Sequence, residues 1–109
     1  MNGLIEQHRA AIRALCQEYG VRRLDLFGSA ATGAFDAATS DLDFVATFAG
    51  TRSPGYADRY LGFAEALETL FGRSVDVITE RSIRNPYFRQ TVEASRQPIY
   101  DEPNAPAAA

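Results

Sequence analysis

The sequence predicts an α/β (α+β) fold: one small mixed sheet with helices packed on one face. Three observations lead to it. Residues 4–19 and 56–71 carry apolar side chains at helical spacing, and each run is followed by a glycine, Gly20 and Gly72. Residues 21–27, 41–48 and 74–79 are short apolar runs of strand length. The long helix between the second and third runs suits the crossover that a parallel strand pair needs, so the order α-β-β-α-β-α gives a mixed sheet.

In the first helix, Leu4, Ile5, Ile12, Leu15, Cys16 and Tyr19 form the apolar stripe. His8 reads as a surface or helix-edge residue, and Cys16 as a small core hydrophobe. In the first strand Asp25 alternates with Leu24 and Leu26, so it reads as an outward-facing residue rather than a metal ligand. Residues 28–33 form a turn and 34–39 an exposed connection. In the second strand Leu42, Phe44 and Ala46 share one face, while Asp41, Asp43 and Val45 share the other. Residues 49–55 hold two glycines and a proline and form a loop. The second helix buries Tyr60, Phe63, Ala64, Leu67, Leu70 and Phe71, whose aromatic rings read as core. The third strand carries a lone carboxylate, Asp76, in an apolar run. It is either a charge awaiting a partner or metal, or the outward residue of a half-exposed strand. Residues 83–96 form a third helix, with Ser82 as a candidate N-cap and Asn85-Pro86 able to delay the start. Residues 98–100 suggest a short edge segment.

The totals limit what such a chain does. The 109 residues fit one domain, taken as 1–102, with 103–109 read as a disordered C-terminal tail. Hydrophobic residues make up 46 %, enough for a core. The net charge of −3 argues against direct, sequence-independent nucleic-acid binding. Every basic residue is an arginine, which excludes schemes that need a lysine. The single cysteine precludes an intrachain disulfide. No apolar run is long enough to span a bilayer and no signal peptide is visible, so a cytoplasmic location and no membrane partner are expected.

The chemistry concentrates in Gly28-Ser29 and in Ser40-Asp41-Leu42-Asp43. Carboxylates two apart on a strand point to one face. Two such charges ~5 Å apart at an effective dielectric of about 20 repel by roughly 3 kcal/mol, so a counter-ion is expected. A hard divalent cation takes oxygen ligands. A Gly-Ser pair offers backbone N–H groups and a hydroxyl to a phosphate. A metal site beside an anion site points to a nucleoside triphosphate.

The combination G-S-x-x-x-G, S-D-x-D and a distal Asp resembles the minimal nucleotidyltransferases (MNT) of the DNA polymerase beta superfamily. Here it reads Gly28, Ser29 and Gly33, then Ser40, Asp41 and Asp43, then Asp76. The stretches 75–79 and 84–87 also look like this group, and the resemblance covers about residues 4 to 102. It implies a polymerase-beta-like fold, with Gly28, Ser29, Gly33 and Ser40 at the nucleotide and Asp41, Asp43 and Asp76 as catalytic ligands of two Mg²⁺ ions. ATP would be the substrate. The family usually carries Arg or Lys just before the second glycine, where this chain has Thr32.

Larger relatives carry acceptor-binding domains, which are not evident here, so the acceptor is expected on a partner. The resemblance implies an MntA-like antitoxin of HEPN/MNT toxin–antitoxin systems, which moves AMP from ATP to a tyrosine of a HEPN-domain ribonuclease toxin. Tyr56, Tyr60, Tyr87 and Tyr100 would then be packing or interface residues. Two other readings stand. One is a non-catalytic antitoxin that masks its partner, which Thr32 favours. The other is a small-molecule nucleotidyltransferase that builds its acceptor pocket in a homodimer. The oligomeric state is not legible.

Overall fold

The computed structural model describes residues 3–28, 31 and 41–102. It has the expected layout. Helices α1 (Gly3–Gln7) and α2 (Arg9–Tyr19) lead into β1 (Val21–Phe27). Strand β2 (Leu42–Phe48), helix α3 (Tyr56–Phe71) and strand β3 (Val75–Thr79) follow. A 3-10 turn (Glu80–Ser82), helix α4 (Pro86–Ser95) and strand β4 (Gln97–Asp101) complete it. The strand order is β3-β2-β1-β4. β1 is antiparallel to β2 and β4, and β2 is parallel to β3 across α3.

The first helix is interrupted at His8, which leaves helical geometry at ψ 11°. Its ring Nδ1 donates to the Leu4 carbonyl at 2.9 Å and the ring packs 5.1 Å from Phe71. Gly20 ends α2 in the left-handed region at φ 73°, and its N–H bonds to the Cys16 carbonyl. Arg59 of α3 donates to the carbonyls of Tyr19, Ala49 and Gly50, which ties the ends of α2 and β2 to α3.

Alternation along the strands builds two unequal cores. Leu24, Leu26, Leu42, Phe44, Ala46, Val75 and Val77 face α1, α2 and α3, where Ile5, Ile12, Cys16, Phe63, Leu67 and Phe71 meet them. Burial pushes the Cys16 thiol up to about 12, in keeping with an inert core residue. On the opposite face, Phe27 and Val45 pack with Ile83 and Val92, so α4 covers part of the second side.

Two local expectations are corrected. Asn85, not Ser82, caps α4: its side-chain oxygen accepts from the N–H groups of Tyr87 (2.8 Å) and Phe88 (3.3 Å), with Pro86 at the first turn. Asp25 does point away from Leu24 and Leu26, yet it is fully buried rather than outward-facing. It accepts from Arg96 Nε at 2.6 Å and Arg23 Nε at 3.1 Å. The expected connection at 34–39 and tail at 103–109 lie outside the described residues. Among the described residues no helix is long and apolar enough to cross a membrane.

Leu67 is completely buried and Leu61, on the same helix, is 58 % exposed. Leu67→Ala should cost about 2–5 kcal/mol in urea unfolding, whereas Leu61→Ala should stay within about 0.5 kcal/mol.

Candidate active site

The second face of the sheet carries the acidic residues because β1, β2 and β3 alternate in phase. In the β1–β2 register Phe27 lies opposite Asp43. In the parallel β2–β3 register Asp43 lies opposite Asp76. Parallel neighbours are about 4.8 Å apart, so two carboxylates from segments far apart in sequence stand side by side. Asp41 sits just before β2, and the next residue's N–H bonds to the Ser74 carbonyl at 3.3 Å.

Asp43 is half-buried, while Asp41 and Asp76 are exposed. Its carboxyl is held above the usual carboxylate range, first by burial and then by the charges of Asp76 and Asp41. Asp41 and Asp76 are thus both near enough for their charges to act on Asp43. Among the described residues, no ion pair joins an arginine to any of them. Uncompensated carboxylate oxygens on one face suit a hard divalent cation. The arrangement is not a closed cage: among the described residues no three His, Cys, Asp or Glu side chains form a ready metal-binding group.

Gly28 follows β1 directly, at φ 76°. A Cβ there would sit 2.7 Å from Asp43 Oδ2, so both backbone conformation and space demand glycine. The structure thus brings Gly28, Asp43 and Asp76 together at one end of the sheet, with Asp41 close enough to perturb Asp43. Ser29, Gly33 and Ser40 lie outside the described residues, as does Thr32.

Two groups of neighbours were not foreseen from sequence. The Gly28 N–H donates to Ser95 Oγ at 2.9 Å, and Gln97 Nε2 donates to the Ala31 carbonyl at 2.8 Å. Beside them Arg96, only 12 % exposed, joins Asp25, Glu80 and Glu93. Glu80 also meets Arg89 at 3.3 Å, and these arginines hold its carboxyl below the usual range. The signal for the contacts to Asp25, Gly28 and Ala31 is absent locally, because their partners lie 66 to 71 residues away in the chain. Elsewhere, a groove of about 570 Å³ between α1, α2 and β4 shares no residue with the acidic face.

Comparison with known proteins gives a consistent picture. A family model described as a nucleotidyltransferase domain matches residues 8–99. A putative protein adenylyltransferase of Methanocaldococcus jannaschii is 33 % identical over 90 residues, covering 83 % of this chain and 85 % of that one. The solved structure of a putative minimal nucleotidyltransferase superposes with a TM-score of 0.69 at 32 % identity, over 85 % of this chain and 90 % of that one. A chain from a toxin–antitoxin structure with AMP-PNP gives 0.64 at 21 % identity, over 85 % and 73 %. One from a complex of tri-AMPylated Shewanella oneidensis HEPN toxin with MNT antitoxin gives 0.62 at 18 % identity, over 89 % and 72 %. These last two likenesses show the fold alone.

The raised Asp43 carboxyl has a consequence for stability. Its native value lies above its value in the unfolded chain. Its favourable contribution to folding is therefore full below the unfolded value and is lost as pH rises through the native one. In metal-free buffer, Asp43→Asn should melt at a higher temperature than the parent at neutral pH. The difference should vanish towards about pH 3, where the carboxyl is protonated in both states.

Proposed function

The chain belongs to the nucleotidyltransferase domain family, and from that premise we propose that it transfers AMP from ATP to a tyrosine hydroxyl of a HEPN-domain ribonuclease toxin, acting as that toxin's antitoxin. The observation that carries the reaction type is the register that sets Asp43 beside Asp76, next to Gly28. The partner class is supported by the fold neighbours taken from toxin–antitoxin complexes, and the protein acceptor by the name of the Methanocaldococcus jannaschii relative.

In this reading the turn at Gly28 and Ser29, with Gly33 and Ser40, receives the triphosphate. Backbone approach at residue 28 is close because nothing but hydrogen occupies that position. Asp41, Asp43 and Asp76 would hold two Mg²⁺ ions, which when bound neutralise charge on the entering and leaving oxygens. The tyrosine oxygen attacks the α-phosphorus in line, and the bond from that phosphorus to the bridging oxygen of the β-phosphate breaks. Pyrophosphate leaves with the bond's electron pair, and the hydroxyl proton passes to Asp76. Asp76 suits that role because it is the exposed member of the paired carboxylates. Asp43, half-buried beside it, is the carboxylate whose charge a bound cation would stabilise most, since burial and the neighbouring Asp76 and Asp41 disfavour that charge in the cation's absence. The chain's contribution is positioning and charge placement, as the reaction requires.

A masking antitoxin with no transfer chemistry is the second reading. Thr32, which stands where the family usually carries Arg or Lys, favours it. Incubation with labelled ATP, Mg²⁺ and a HEPN toxin separates the two. Transfer of label to a toxin tyrosine is the expected result. Asp41→Asn or Asp43→Asn should cut it by at least about 10²–10³-fold with the fold intact. Neutralisation of the toxin without label transfer would establish masking instead.

A further inference from the structure

Three consecutive residues, Ser95, Arg96 and Gln97, meet the turn after β1 from the far end of the chain. Ser95 Oγ accepts the Gly28 N–H at 2.9 Å. Gln97 Nε2 donates to the Ala31 carbonyl at 2.8 Å. The turn is closed on itself by a bond from the Ala31 N–H to the Gly28 carbonyl at 3.1 Å. The two side chains thus grip both ends of one hydrogen-bonded turn. Arg96, between them, fixes the grip in place: its Nε donates at 2.6 Å to Asp25, which is fully buried in β1.

The bland reading is that Ser95 merely bonds its own helix. Its hydroxyl does approach the carbonyls of Thr91 (3.4 Å) and Val92 (3.5 Å). A hydroxyl has one hydrogen and two lone pairs. Donating that hydrogen back into α4 leaves a lone pair to accept from Gly28, so the two roles are complementary.

We infer that Ser95 and Gln97 are positioning residues that set the phosphate-binding turn before nucleotide arrives, with the Arg96–Asp25 pair as their anchor. The inference rests on the nucleotide reading above. Because Ser95 occupies the Gly28 amide, that amide organises the turn. Removing either side chain frees the turn to sample other conformations, and that ordering must then occur on binding.

The test is ATP binding by calorimetry in Mg²⁺ buffer, with amide hydrogen exchange at Gly28 followed by NMR. Ser95→Ala and Gln97→Ala should each weaken ATP binding by about five- to tenfold, the loss expected for one hydrogen bond. Ser95→Ala should also speed Gly28 exchange beyond what Leu67→Ala produces, since that variant loosens the main core without touching the turn. Unchanged ATP affinity in both variants, or tighter binding in Ser95→Ala, would overturn the inference. Tighter binding would mean that Ser95 competes with phosphate for the amide. A parent protein that binds no ATP would instead remove the nucleotide reading, and the inference with it.

Discussion

The parallel pairing of β2 with β3 is the constraint on which the rest of this molecule depends. It sets Asp43 against Asp76 although like charges on neighbouring strands repel. The opposite face keeps the register. Leu42, Phe44, Val75 and Val77 are buried against the helices, and a slip of one residue would exchange the apolar and acidic faces. The main core thus supplies the stability that holds an unfavourable arrangement, which is a common property of functional sites.

The same sheet face treats its acidic residues in two ways, and the proposed chemistry rests on the contrast. Asp25 is buried and answered by Arg96 and Arg23, so it serves structure. Asp43, two residues from Val45, which pairs with Asp25 across the strands, has no arginine partner among the described residues and its carboxyl is pushed upward. An answered charge braces the scaffold, whereas the unanswered pair is where the proposed cation and nucleotide would sit. Tyr87 on α4, 79 % exposed, marks a surface beside this face that the core does not use.

Much of this was legible in the sequence because it depends on local periodicity. The limits of α3 follow from its stripe and from Gly72, whose N–H bonds back to the Glu68 carbonyl. The parallel strand pair follows from the length of that helix. That Asp41 and Asp43 share a face follows from the strand period, whereas the meeting of Asp43 with Asp76 was implied only by the family resemblance, since a period sets the face and not the register. What was not legible depends on distant partners. Asp25 reads as solvent-facing until Arg96, 71 residues later, is seen to cover it. The grip of Ser95 and Gln97 on the turn has no local signature at all. The break at His8 also escapes periodicity, since its cause is a ring bonded to Leu4 and packed on Phe71. The Asn85-Pro86 pair, by contrast, carried its own signal, and the cap falls where that pair delays the helix.

In the proposed reaction, the unanswered acidic pair on the sheet is completed by a cation carried with nucleotide. An NMR titration of the Asp43 side-chain carboxyl, with and without Mg²⁺ and ATP, tests it most directly. The account predicts a midpoint above the usual carboxylate range in the metal-free protein that falls when both are added. A midpoint that does not move on their addition would contradict it.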